Sequence, residues 1–562
     1  MVDNGMIFFA RKGDGETLSD RIYMRPDKAN RHGFICGATG TGKSVTLKVL
    51  AESFSELGVP VFMSDVKGDM AGIAVPGDDN EGMQTRLDRF GIRDTFEYRG
   101  YPVSIFDIYA DKGTPLRTTV SEMGPLLFSQ VLDLNDTQTE LMQVIFKIAD
   151  DLGLVLIDTK DMKATLQYCA DHSDEFKMDY GLIPQQSASA IIRAIVALES
   201  EGADMFFGEP AIDIRDFFLT APDGRGIINI LDAETLINKP RLYSAFMLYL
   251  LSELFEVLPE VGDPEKPKMV FFFDEAHLLF KNASKSLLEK IEQVVKLIRS
   301  KGVSIFFVTQ SPGDIPGAVM SQLGNKIEHG LHAYTPAEQK ALQAAADAFR
   351  ENPDFDTKEL MQNLGTGEAV VSMLDEKGAP SVAEYAFVLP PESRMGALTE
   401  EERRNAVDYS PLNNKYLNMI DNVSAYEVIT GRVPGAAAAP AAETITAPDG
   451  QVYGNTSGIP AAEPAPQPEI SYDVETQPAE QPKVRPAAKA EEEGRSTIGD
   501  LADSYLGKSG TRQVIRSTGG TIGREIGKTI GEAVLGKKGR TIGGNIGSAI
   551  GRNLLGTLTG KK

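Results

Sequence analysis

The sequence predicts an α/β fold, a mostly parallel sheet flanked by helices, and three observations lead there. Strand-like apolar runs, each followed by a turn and a helical pattern, recur from about residue 30 to residue 310. The runs are apolar throughout rather than alternating, as strands covered on both faces must be. A glycine-rich segment, Gly37 to Ser44, stands between one such run and a helical pattern.

In chain order, HGFIC (32–36) leads into the glycine-rich loop and a helix over roughly 43–57, and VPVFMSD (59–65) reads as the next buried strand. YPVSIFDI, GIINILD, KMVFFFD and VSIFFVTQ are further strands. Amphipathic stretches such as TELMQVIFKIADDLG and SASAIIRAIVALES interrupt the alternation and predict a helical insert over 120–220, dividing the core into 1–119 and 221–433. Beyond VSIFFVTQ, the segment IEHGLHAYT, a helix near 336–350 and the short strands GEAVVSML and SVAEYAFVL extend the sheet. From 434 to 494 the chain is rich in Ala, Pro and Glu and poor in large apolar residues, which cannot offset chain entropy, so a disordered linker is expected.

The tail, 495–562, is glycine-rich and basic. From residue 504 it carries eleven Lys/Arg against two Asp/Glu, and Ile-Gly pairs recur at a spacing of four in two blocks, from Ile522/Gly523 and from Ile542/Gly543. On a helix this spacing puts glycines on one face. Such a tail suits a partner subunit, nucleic acid or an anionic membrane surface, and a loosely ordered segment is the plain alternative.

Composition narrows the class. The 562 residues are 42% apolar and 24% charged, and no uncharged apolar run is long enough to span a bilayer. The start, MVDNGMIFFARKGDGE, lacks the pattern of a secretory signal, so a cytoplasmic protein is expected. Two cysteines, Cys36 and Cys169, and five histidines argue against a disulfide framework or a zinc cage. A formal net charge of −23 argues against a surface that attracts nucleic acid everywhere, though not against a basic pore.

GATGTGKS fits G-x-x-x-x-G-K-[ST] in the context its chemistry requires, a strand before and a helix after. The expected fold is therefore that of a RecA-like P-loop NTPase, with ATP and Mg²⁺ as ligands. Gly37, Ala38, Thr39, Gly40, Thr41, Gly42, Lys43, Ser44 and Val45 would form the nucleotide cradle, because glycines let backbone N–H groups converge on phosphate and the helix adds its positive end. Lys43 would reach the β- and γ-phosphates, and the Ser44 hydroxyl would ligate Mg²⁺. KMVFFFDEAH ends a bulky apolar run in two carboxylates, so Asp274 is the expected partner of Mg²⁺ and Glu275 the general base. Gln310, ending VSIFFVTQ, would sense the γ-phosphate or orient water; alone it could equally cap a strand.

A guanine-nucleotide reading remains open from Asp65, Val66, Lys67 and Gly68, which form D-x-x-G, and from NKIE at 325–328. Base-reading motifs carry aspartate at that fourth position, however, and tandem Asp-Glu after a long apolar strand is an ATPase feature.

With these motifs in order, the chain resembles the HerA/FtsK superfamily of P-loop ATPases, most closely its bacterial YjgR-like branch, over roughly residues 20–430. The carriers are NRHGFICGATGTGKS, SDVKGD, GIINILDAETL, FFFDEAHLLF and KLIRSKGVSIFFVTQSP. The resemblance implies a homo-hexameric ring with ATP at subunit interfaces, moving along double-stranded DNA. It also implies arginines that act from the neighbouring subunit, at positions matched here by Arg31 and Arg299, with Arg394 a third candidate. Archaeal members place a β-barrel ahead of the motor to dock a nuclease. The phosphate loop here begins at residue 37, so a nuclease partner is not expected. Two readings compete with the DNA motor: an ATP-dependent switch or scaffold recruiting a partner through its tail, and a metabolic kinase with the insert as a lid. Tandem Asp-Glu and Gln310 speak against a kinase, which excludes activating water.

Overall fold

The computed structural model describes residues 1–13, 18–281 and 285–431. The expected linker (434–494) and the Ile-Gly tail (495–562) lie outside the described residues.

Among the described residues the sheet has thirteen strands: β1 (Val2–Asp3), β2 (Met6–Gly13), β3 (Leu18–Met24), β4 (Gly33–Cys36), β5 (Val61–Asp65), β6 (Val103–Asp107), β7 (Thr114–Pro115), β8 (Ile228–Asp232), β9 (Met269–Phe273), β10 (Val303–Thr309), β11 (Asn325–His329), β12 (Glu368–Ser372) and β13 (Glu384–Val388). The run β11-β4-β10-β9-β5-β8-β6-β7 is parallel throughout. Antiparallel strands extend it past β11 in the order β12-β13-β2, with β1 and β3 both on β2. The segment ahead of the phosphate loop is thus part of the sheet, closing back onto the last strands of the described chain.

β9 explains why the sheet holds its register. All five of its residues are buried, with Phe271 and Phe273 packed into one apolar cluster and Val270 and Phe272 into the other. Burial of each such side chain is worth about 1.5–3 kcal/mol. Across to β10 the rings pair in step: Phe272 lies 5.1 Å from Phe306 and Phe273 5.5 Å from Phe307, both stacked. A one-residue slip would send each ring to the wrong face.

The helix Lys43–Glu56 covers the Phe272 face with Leu47, Leu50, Ala51 and Phe54. The helix Pro240–Val257 covers the other. Between β7 and β8 the chain is largely helical: Val120–Val131, Asp136–Leu152, Thr159–Asp171, Ser173–Tyr180 and Gln185–Glu199. Asn135 and Asp158 start two of these helices through capping boxes, and Gly153, at φ +67°, stops one. Their apolar faces join the same cluster as Phe271, so the insert shares the core rather than building its own.

Gly33 is required by this packing. A Cβ there would stand 2.0 Å from the Phe306 ring, which is itself wedged between Phe54 and Phe272. Gly33→Ala is expected to lower the chain's resistance to denaturant by about 1–3 kcal/mol. An unchanged unfolding midpoint would mean that the sheet yields where its aromatic packing says it cannot.

Candidate functional site

Four neighbouring parallel strands, in the order β4-β10-β9-β5, leave the sheet at one edge, one into the glycine-rich loop and the others at polar residues. β4 runs into Gly37, β10 into Gln310, β9 into Asp274 and Glu275, and β5 ends in Asp65. The register pairs Thr309 with Cys36 and Phe307 with Phe273, so these exits lie side by side.

The loop after β4 is shaped by its glycines. Gly37, Gly40 and Gly42 have φ of +151°, +80° and +122°, in the range that side chains disfavour. A Cβ on Gly37 would also meet the Cβ of His329 at 2.5 Å. Ala38 N–H donates to the Gly330 carbonyl at 2.9 Å, Thr41 Oγ1 donates to the Ala38 carbonyl at 2.7 Å, and Gly367 N–H donates to the Thr41 carbonyl at 2.8 Å. Lys43 is buried, and its ammonium donates to the carbonyls of Gly37 at 2.6 Å and Ala38 at 3.0 Å. Burial, and next the charge of Lys67, depress its pKa. Ser44 and Val45 lie in the first turn of the helix that starts at Lys43.

The two carboxylates after β9 sit in different surroundings. Asp274 Oδ2 is buried with no hydrogen-bond partner, and burial pushes the group up to about 6 against the pull of Lys67. An orphaned carboxylate oxygen beside a phosphate loop fits a hard divalent cation, with Ser44 and Asp274 as the oxygen donors that would hold Mg²⁺. Glu275 accepts from Lys67 Nζ at 2.7 Å and from Gln310 Nε2 at 3.0 Å and 3.2 Å. Burial raises its pKa, but Lys67 and Gln310 together bring it below the usual carboxylate value. Its φ of +48° is strained for glutamate, a cost of order 1 kcal/mol that aims the side chain at this cluster. Thr39 Oγ1 lies 3.4 Å from Gln310 Oε1, so Gln310 links the phosphate loop to Glu275.

Arg31 and Arg299 are elsewhere. They precede β4 and β10 and stand at the opposite edge of the sheet, where both pair with Asp263, at 3.7 Å and 3.3 Å. The seven residues of β10 alone span roughly 20 Å, so neither arginine can reach its own chain's phosphate loop. Arg394 is bound to Glu402 at 2.8 Å, and its carbonyl accepts from Lys48 Nζ.

The guanine reading loses its residues. The Asp65 carboxylate accepts the N–H groups of Gly68, Met70 and Ala71, which pins its own loop. Asn325 to Glu328 lie in β11, with Asn325 bonded to the His32 carbonyl at the edge away from the phosphate loop.

Sequence pattern did not reveal Lys67, His32 or His329. Lys67 belongs to D-x-x-G and to the segment SDVKGD, and neither assigns its side chain a role. His32 accepts from Ile305 N–H through Nδ1 and donates through Nε2 to the Val295 carbonyl, tying the start of β4 to β10. His329 donates through Nδ1 to the Glu368 carbonyl at 2.7 Å and accepts at Nε2 from the Thr46 hydroxyl at 2.8 Å. Burial keeps it neutral, with a pKa pushed down to about 4. A histidine among apolar strand residues gives no signal of such a role before the fold is known.

A phosphate loop, an acidic pair after a buried strand and a glutamine on the strand between them define a P-loop ATPase of the HerA/FtsK class. Residues 11–469 match the family described as helicase HerA-like, C-terminal, and the chain belongs to that family. It is 20% identical over 367 residues to a DNA double-strand break repair helicase HerA of Sulfolobus acidocaldarius, covering 64% of this chain and 65% of that one. It is 23% identical over 347 residues to the protein of the same name from Saccharolobus solfataricus, covering 61% of each. The chain therefore spans less than two thirds of the length of either relative. Among solved structures, the bacterial conjugative coupling protein TrwBdeltaN70 matches at 17% identity and a TM-score of 0.45, over 71% of this chain and 99% of that one.

His329→Ala would strand the Thr46 hydroxyl and the Glu368 carbonyl and leave a cavity behind Gly37. The expected cost is about 2–4 kcal/mol in chemical denaturation, and a variant as stable as wild type would remove His329 from the loop's support.

Proposed function

We propose that this chain hydrolyses ATP as a HerA-type motor, assembled as a homo-hexamer that moves along double-stranded DNA. The observation that carries the hydrolytic part is the link from Thr39 through Gln310 to Glu275, which joins a phosphate loop to a charged carboxylate. In this reading the N–H groups of Gly37 to Val45 hold the phosphates, and Lys43 exchanges its loop carbonyls for β- and γ-phosphate oxygens. Mg²⁺, when bound, neutralises charge on those oxygens. Glu275 takes a proton from water held by Gln310; the water oxygen bonds to the γ-phosphorus as the bond to the bridging oxygen breaks, giving ADP and inorganic phosphate. A kinase would exclude that water, whereas here a glutamine is placed to hold it beside the carboxylate.

Ring assembly is supported by the arginines. Arg31 and Arg299 stand too far from their own loop to act there, so a neighbour's nucleotide is the phosphoryl group they could meet. Duplex DNA as substrate is supported by the family and by the name the archaeal relatives carry, DNA double-strand break repair helicase.

Lys43→Ala is expected to abolish nucleotide binding. Glu275→Gln should bind ATP yet turn over at least about a hundredfold more slowly. ATP turnover with and without duplex DNA, in wild type and Glu275→Gln, tests the whole reading: stimulation by DNA that vanishes in the variant supports it, and turnover indifferent to DNA removes the motor. For the ring, subunits carrying Arg31→Ala mixed with subunits carrying Lys43→Ala should regain part of the lost turnover, and inactive mixtures would argue against an arginine supplied in trans.

A further inference from the structure

Glu275 is not the only charged group that the nucleotide would meet on this side of the loop. Lys67 follows β5 by two residues, and its ammonium lies 2.7 Å from Glu275 Oε1 while its side chain stays 40% exposed. Its backbone is held firmly. Asp65 accepts three N–H groups of the turn, and Gly68, at φ +76°, packs so close to Glu234 that a Cβ would stand 1.9 Å from its carboxylate oxygen. A fixed backbone with an exposed, flexible four-carbon stem lets the ammonium change partners without moving the loop.

Two cations converge here. Lys43 feels the charge of Lys67 more than any other, and both feel those of Asp274 and Glu275. Two ammonium groups at one edge of a phosphate loop attract a multiply charged anion more strongly than either does alone. Of the carboxylates around Lys67, namely Asp69, Asp274 and Glu275, Lys67 is paired with Glu275 alone. Asp69 Oδ1, like Asp274 Oδ2, is buried without a hydrogen-bond partner.

We propose that Lys67 is a second phosphate-facing cation of this site, held on Glu275 until the γ-phosphoryl group of bound ATP draws it away. Freeing the base and neutralising the γ-phosphate are then one movement of one side chain. ADP lacks that group and leaves Lys67 on Glu275, so the base is released only when there is a phosphoryl group to attack. The proposal rests on Glu275 being the base and adds a device that couples it to the nucleotide state.

The test uses the full chain with Glu275 intact and measures affinity for ADP and, through a non-hydrolysable analogue, for ATP, so that turnover does not intrude. Lys67→Met should weaken ATP binding about tenfold and leave ADP binding unchanged, while Lys67→Arg should retain most of the ATP affinity. Unchanged ADP binding also reports that the variant is folded. An ATP-to-ADP affinity ratio that Lys67→Met leaves as it was would overturn the proposal while leaving Glu275 as base. Wild-type turnover in Glu275→Gln alone would overturn both, by removing the base itself.

Discussion

The site depends on the burial of β4, β10, β9 and β5 on both faces. A strand so placed cannot carry an unpaired polar side chain without a cost of several kcal/mol, and Phe271, Phe272, Phe273, Phe306 and Phe307 fill the space where one would go. Polar residues are therefore admitted where each chain leaves the sheet. Because these strands are parallel neighbours, their exits fall along one edge, and phosphate loop, acidic pair and glutamine become adjacent without any contact designed for the purpose. The register sharpens this. Ala276 N–H donates to the Val308 carbonyl at 2.9 Å, so the turn holding Glu275 is fastened to the strand holding Gln310.

Adjacent carboxylates acquire different work from different donors. Glu275 is surrounded by Lys67 and Gln310, and His277 Nδ1 lies 3.3 Å away, whereas one oxygen of Asp274 meets none. The first arrangement keeps a carboxylate charged and oriented; the second leaves an oxygen that a cation would satisfy. The division is imposed by the elements either side of β9: Lys67 comes from beyond β5, and Gln310 from beyond β10. An overall charge of −23 says nothing about this edge, where lysines and carboxylates are interleaved.

The parallel core was legible because double-sided burial writes continuous apolar runs, as in KMVFFFD and VSIFFVTQ. β1 to β3 were less so. In MIFFARKG the buried stretch Ile7 to Ala10 runs straight into Arg11 and Lys12, and its pairing with β3 and β13 reveals it as a sheet strand. Lys43, Asp274 and Glu275 could be read from spacing, since their motif is local. Lys67 could not, because its relation to Glu275 crosses from β5 to β9 and depends on how Asp65 folds its own turn. His329 was hidden for the same reason: its partners, Thr46 and the Glu368 carbonyl, are far away in sequence.

The position of the arginines has a consequence for the proposed ring. Arg31 and Arg299, both half-buried with Arg299 the more exposed, share Asp263 at contacts of 3.7 Å and 3.3 Å worth about 1 kcal/mol, so exchanging that partner for a neighbour's phosphate costs little. Arg31 is joined to its own phosphate loop by His32 and the four residues of β4. That connection is stiff: the Arg31 carbonyl accepts from Gly324, His32 is bonded to both Ile305 and Val295, and β4 is hydrogen-bonded on either side. An arginine drawn toward one nucleotide would therefore pull on the strand that carries the loop for the next. In the proposed ring, such a link between neighbouring sites would need no hinge, only a weak ion pair at one end of a short, rigid strand and a glycine-shaped loop at the other.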